Sequence, residues 1–173
     1  MHVREHSWQR ALIALEAFHV LFLLTHDWLP LAPFNDIAGV RSQNTTPRLI
    51  RDTLINTLPM AILLGISLRY ADRPFPRWLK WLTAILYGVF FAGELQAWWI
   101  PYFFGTTPDR IARYRAMFGK THAFLPERNG IVPNTMHVVL HSATLAALLV
   151  ALRLVTLTAA DARQPAHGAR MER

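Results

Sequence analysis

Long apolar runs separated by short polar ones set the pattern of this chain. Four such runs, at about 11–31, 53–70, 78–104 and 133–157, carry few charges. Each is long enough to cross about 30 Å of hydrocarbon at about 1.5 Å per residue, which predicts helices solvated by lipid. The first run closes at Pro30 and Pro33, and the fourth opens at Pro133, where a proline suits a helix start. The second contains Asn56 and Pro59, tolerable where neighbouring helices supply partners. The third is rich in aromatic residues.

The connections are unequal. Residues 35–51 are polar and broken by Gly39 and Pro47, residues 69–80 form a short basic turn, and residues 105–132 make the longest loop. Within that loop, 109–118 spaces its apolar residues as a helix does and has Asp109 near its start. That spacing predicts a short amphipathic helix on the membrane surface. Residues 121–134, with Pro126, Gly130 and Pro133, read as irregular backbone. The expected fold is therefore all-α: a polytopic integral membrane protein, a four-transmembrane-helix bundle with an interfacial helix between helices 3 and 4. One domain covers 1–160, and the polar tail 161–173 is expected to be disordered.

Composition sharpens this picture. Hydrophobic residues make up 53% of the chain and charged residues 17%, with a mean hydropathy of +0.21; soluble domains carry about 25% charged residues. The absence of cysteine excludes thiol redox chemistry, thiolate zinc sites and disulfides. The net charge of +7 comes from bases at the ends of apolar runs. There they meet lipid headgroups, so the expected partner is the bilayer and not nucleic acid. The first run continues beyond a signal-peptide core and lacks a small-x-small cleavage site, so it is expected to stay attached. The N-terminus, the 69–80 turn and the tail together hold ten of the 18 Lys and Arg residues. The positive-inside rule then puts both termini in the cytoplasm, in a bacterial inner membrane.

Ionisable residues inside apolar runs cost about 2.5–3.5 kcal/mol each at the centre of a span, so each needs a reason. Glu16, His19, His26, Glu94, His137 and His141 are of this kind. Counted from the helix ends that carry the long loop, His26, Glu94, His137 and His141 lie about 5–10 Å deep, Asn56 falls in the same layer, and His19 is near about 15 Å. His137 and His141 are i, i+4 and share a face that Thr144 continues, while His19 and His26 share a stripe of helix 1.

Two imidazoles one turn apart suit a metal ion. The expected metal ligands are His26, Glu94, His137 and His141, holding a divalent zinc or iron. The alternative cofactor is a single b-type haem held by His19 or His26 on helix 1 and His137 or His141 on helix 4. Glu94 is also the candidate general base. Trp98, one turn beyond Glu94, is placed to cap the site, and Arg128, Asn129 and Asn134 would complete a polar substrate mouth. Plainer roles exist for these residues: a buried histidine can bond a backbone carbonyl, and Trp98, Trp99 and Tyr102 can form an interfacial belt.

The leading functional expectation is a metal- or haem-binding membrane protein, or an enzyme acting on a lipid or small hydrophobic molecule. The alternatives are a proton- or ion-coupled carrier subunit, in which Glu94 and the histidines relay protons, and a non-catalytic scaffold. Two stripes of small residues, Ala84/Gly88/Ala92 and Ala143/Ala147/Ala151, allow close helix approach within the chain or in a homo-oligomer.

Overall fold

The computed structural model describes residues 2–161, with side-chain surroundings for 5–157. Of the tail expected at 161–173, all but Asp161 lies outside the described residues. The secondary structure is helical, with no strand among the described residues and one isolated bridge between Arg128 and Ile131. In chain order the elements are α1 (His2–Thr25), α2 (Ile37–Gln43), α3 (Thr46–Arg69), α4 (Arg77–Glu94), a π-turn (Leu95–Trp99), α5 (Ile100–Phe104), α6 (Pro108–Phe118) and α7 (Thr135–Asp161).

Among the described residues, three stretches are long and apolar enough to cross a membrane: Glu5–Thr25, Thr46–Arg69 and Thr135–Leu157. That fits an integral membrane protein, but the number is three and not four. The expected third span, 78–104, is not one regular helix. Its α-helical part, α4, has 18 residues and includes Arg77, Lys80 and Glu94.

Several boundaries moved for local reasons. α1 begins well before the apolar run, because its polar first turns have partners: Glu5 pairs with the buried Lys80 of α4, and Gln9 donates to the Arg73 carbonyl at 3.0 Å. It ends at Thr25, whose hydroxyl donates back to the Leu21 carbonyl at 2.7 Å. The following turn is tied by Asn35, whose amide donates to the carbonyls of His26 and Leu29 at 2.8 and 2.6 Å. α2, read from sequence as part of a polar stretch, starts where the Asp36 carboxylate accepts from the Gly39 amide at 3.0 Å. Gly39 lets α2 lie on α6: a Cβ there would stand 2.8 Å from the carbonyl oxygens of Ala116 and Met117. The interfacial helix appears as α6, opened by Thr107 and Pro108.

The long helices form an open row. α3 packs on α1, α1 on α7, and α7 on α4. α3 and α4 stand at the two ends of this row and do not pack along each other. The main core joins Leu12, Phe22, Leu23, Met60, Leu63, Leu79, Tyr87, Leu140, Ala147 and Leu154. Of the small-residue stripes, Ala84, Ala147 and Ala151 are buried, and a Cβ on Gly88 would be 3.9 Å from Leu148 of α7. Gly88 thus lies at the packed α4–α7 contact, while Ala92 is exposed.

The π-turn has an identifiable cause. Pro101 has no N–H to give the Ala97 carbonyl one turn back, and its ring crowds that carbonyl. The Ile100 amide reaches to Leu95 instead of Gln96, so the carbonyls of Gln96 and Ala97 lose their usual helix donors. α6 supplies replacements: the Tyr114 hydroxyl and an Arg110 guanidinium nitrogen donate to the Ala97 carbonyl at 2.6 and 2.7 Å, and the same nitrogen reaches the Gln96 carbonyl at 3.2 Å. Opposite them, Asn129 (φ 52°) and Gly130 (φ 78°) make a tight turn closed by two 3.0 Å bonds between Arg128 and Ile131. That turn sets the fully buried Ile131 among Trp98, Tyr102, Ile111 and Tyr114.

Tyr114→Phe removes one of two donors to the part-buried Ala97 carbonyl, Arg110 remaining, and is expected to lower stability by about 0.5–1.5 kcal/mol, read by thermal unfolding in detergent. In a Pro101→Ala background the Ala97 carbonyl regains a backbone donor, so the same change should cost measurably less. Equal costs in both backgrounds would refute this origin for the π-turn.

Candidate functional site

The buried polar groups of α1, α4 and α7 meet at one level. Thr144 of α7 is fully buried, with the Glu94 Oε1 at 2.7 Å and the His19 Nε2 at 2.9 Å. The Nδ1 of His19 lies 2.7 Å from the Leu15 carbonyl. A carbonyl only accepts, so His19 is protonated at Nδ1. Tyr87, also fully buried, stands edge-on to His19 with its hydroxyl 3.5 Å from Nδ1.

A hydroxyl carries one proton, and that of Thr144 has three neighbours able to accept it: Glu94, His19 and, at 3.0 Å, the Leu140 carbonyl of its own helix. If Thr144 donates to His19 Nε2, Glu94 must be protonated and donate to Thr144. If Thr144 donates to Glu94, the His19 Nε2 must carry a proton and the ring is an imidazolium. The two arrangements differ only by moving one proton from Glu94 to Thr144 while the Thr144 proton moves to His19. In the first, no charge lies in the apolar interior, where a lone ion is costly. Glu94 keeps one further oxygen, Oε2, that is buried and has no partner; Oε2 of the fully buried Glu16 is in the same position, its Oε1 accepting from Ser67 at 3.1 Å.

Beyond Glu94 lies a cavity of about 440 Å³. His26, Asn56, Glu94, Trp98, His137 and His141 all line it, together with Asp27 and Thr53. The layer expected from helix depths is thus one physical space. His19 is not part of it; it stands behind Glu94 and Thr144. Asn56 and Gly93 are exposed on the rim, and the opening lies between α3 and α4, at the ends of the helix row.

The histidines of this cavity have tautomers set by their neighbours. The Asn134 Oδ1 accepts from the backbone amide of His137 at 3.0 Å, so that atom is an oxygen, and the His137 Nδ1 beside it at 2.6 Å must be the donor. His137 Nε2 is then an acceptor. The Trp99 indole donates to His141 Nδ1 at 3.1 Å, which leaves the proton of His141 on Nε2. His26 Nδ1 lies 3.1 Å from the Phe22 carbonyl, and its Nε2 is 3.4 Å from Asp27. His137 is held by rings on both sides: Trp98 at 4.1 Å and Phe118 at 5.0 Å between centroids.

The expected metal set is not assembled as a coordination site. No group of three or more His, Asp or Glu side chains is placed to hold a metal ion among the described residues. Of the expected ligands, His141 has its Nδ1 lone pair engaged by the Trp99 indole.

The expected mouth is also different. Arg128 lies over the Phe103 ring, Asn129 donates to the Tyr102 carbonyl at 2.9 Å, and Asn134 is buried at the start of α7. None of the three lines the His/Glu cavity, whereas Trp98 does. Arg110 and Arg113 instead line a neighbouring space of about 410 Å³ on the far side of Trp98 and His137. Sequence reasoning missed the bridging role of Thr144, and with it Tyr87, Trp99 and Arg110. The i, i+3 step from His141 to Thr144 was the one available signal.

Fold and site together define a helical chain with a carboxylate–hydroxyl–imidazole chain buried between α1, α4 and α7, of which α1 and α7 are long and apolar enough to cross a membrane. No family model, curated protein or solved structure matches it.

The tautomers are checkable by nitrogen-15 NMR of labelled histidine. His19 and His137 are expected as Nδ1–H and His141 as Nε2–H, and Trp99→Phe should convert His141 alone to a mixture. An Nδ1–H signal for His141 in the wild type would contradict the Trp99 bond.

Proposed function

We propose that this protein is a four-span inner-membrane protein that handles protons at an intramembrane site, as a proton- or ion-coupled carrier. The observation that carries the reading is the single Thr144 hydroxyl standing within hydrogen-bond distance of both Glu94 and His19. A proton leaving Glu94 has a ready acceptor through Thr144, and the return path is the same. The cavity beside Glu94 gives one end of this chain access to an exchanging ion. Intramembrane carboxylates and histidines in such chains are the common means of proton relay.

The fourth span is α4 with its continuation. Together α4, the π-turn and α5 comprise 28 residues, or about 42 Å at helical rise. Its charges suit a crossing: Arg77 and Lys80 sit at one end, and Glu94 is bonded within the protein. Connectivity then puts both termini on one side, the cytoplasmic side by the distribution of Lys and Arg.

The test is infrared difference spectroscopy joined to proton flux in liposomes. Wild type is expected to show a carboxylic C=O band assigned to Glu94, absent in Glu94→Gln and shifted in Thr144→Val. Proton flux driven by a pH gradient should fall about tenfold or more in both variants and be largely retained in Thr144→Ser, which keeps the hydroxyl. A fully ionised Glu94, or unchanged flux in Thr144→Val, would rule the relay out.

A further inference from the structure

The geometry points to an organic ammonium ion, carried on an amphiphilic molecule, as the ligand of the cavity beside Glu94. This rests on the proton-handling reading of that same carboxylate.

The charges of the cavity wall come first. It contains two carboxyl groups, Asp27 and Glu94, and no Lys or Arg. Arg110 and Arg113 line the separate space beyond Trp98 and His137. The hydrogen-bonding atoms lean the same way. With its tautomer fixed, His137 offers a bare Nε2, while the His26 Nε2 is turned to the Asp27 carboxylate 3.4 Å away. Glu94 Oε2 is buried without a partner on a side chain only 7% exposed. An unpaired buried acceptor is costly, and the missing group is a donor. Against these acceptors stand the Nε2–H of His141 and the Asn56 amide. A ligand that supplies donors and positive charge satisfies most of this wall; a carboxylate or phosphate would face Glu94 and Asp27 unpaired.

The remaining wall describes the rest of the ligand. Leu23, Val89, Phe90 and Leu140 are apolar, and Trp98 presents an aromatic ring to the interior. Aromatic rings attract ammonium groups, more strongly where water is excluded. The opening between α3 and α4 faces the side of the helix row, so an alkyl chain can extend into the bilayer while its head stays beside Glu94. Asn56, exposed on the rim of an otherwise apolar stretch, has no hydrogen-bond partner among the described residues. It stands where an entering ammonium would pass.

Charge balance couples this ligand to the proton. With the cavity empty, Glu94 holds a proton that it shares with Thr144. When R–NH3+ enters, the carboxyl gives up that proton and pairs with the ammonium as a carboxylate. His19 cannot keep the proton without placing a second positive charge in the same apolar interior, so it passes to the medium. One cation in and one proton out leaves the net charge of the buried site unchanged. The titratable groups facing the exchange are His26, Asp27, His137 and His141 in the cavity and His19 and Tyr87 behind Thr144.

The experiment uses the full chain in phosphatidylcholine nanodiscs in weak buffer, with tryptophan fluorescence and a pH dye read together. Octylammonium, octyltrimethylammonium, octanol and octanoate are compared at equal chain length. Octylammonium is expected to bind saturably with release of about one proton per cation, octyltrimethylammonium more weakly, and octanol and octanoate without saturation. Glu94→Gln should weaken octylammonium binding about tenfold or more and abolish proton release. Asp27→Asn, a partly exposed change at the cavity wall, should weaken binding a few-fold and keep the release; it serves as the deciding variant if Glu94→Gln does not fold.

Octanol or octanoate binding as tightly as octylammonium would overturn the ammonium assignment. Octylammonium-selective binding without proton release would support that assignment and overturn the proton-handling reading instead. An intact infrared signature of Glu94 with no preference for ammonium would sink this inference alone.

Discussion

A missing N–H at Pro101 organises the upper half of this molecule. It breaks the hydrogen-bond ladder of the α4 helix, opens the π-turn, and frees two carbonyls that lie near the edge of an apolar layer. Those carbonyls recruit Tyr114 and Arg110, and so they anchor α6 over the helix ends. The extra residue in the turn also changes where its side chains point. Trp98 comes to lie on His137, and Trp99 reaches His141. A regular helix through this segment would place successive residues at a constant 100° or so, and the two indoles would not both face α7. π-turns of this kind are often found at functional sites, and here the reason is visible in the contacts they create.

The consequence for the site is that His19, His137 and His141 each have a proton assigned by a neighbour with only one hydrogen-bonding role. Asn134 Oδ1 and the Leu15 carbonyl only accept, and the Trp99 indole only donates. Thr144 is the ambiguous group, since its one proton can go to Glu94, to His19 or to the Leu140 carbonyl of its own helix.

The open row of long helices supplies the other half of the arrangement. In a closed bundle, α3 and α4 would pack and seal the polar layer. Here they flank it, and the cavity opens between them. The buried contacts that hold the row together, α1 with α7 and α7 with α4, carry the small residues and the Glu94–Thr144–His19 chain at once. Rigidity and chemistry therefore share the same interfaces, while access is confined to the ends of the row.

The amino-acid sequence by itself determined the helical class, the apolar stretches and the amphipathic α6, because these depend on local periodicity and on the fixed thickness of hydrocarbon. It also determined that His26, Asn56, Glu94, His137 and His141 share a depth, since up-down connectivity brings those helix ends together whatever their rotation. It did not determine rotation or order around the bundle. Whether Thr144 faces Glu94, whether Trp99 takes the lone pair of His141, and whether Arg110 and not Arg128 serves the segment near the site all depend on contacts between residues far apart in the chain. The π-turn compounds this, since Pro101 announces a break in sequence but not the donors that will repair it. Tertiary structure alone decided those pairings, because hydrogen bonds are directional over a few ångströms and hydrophobic periodicity is not.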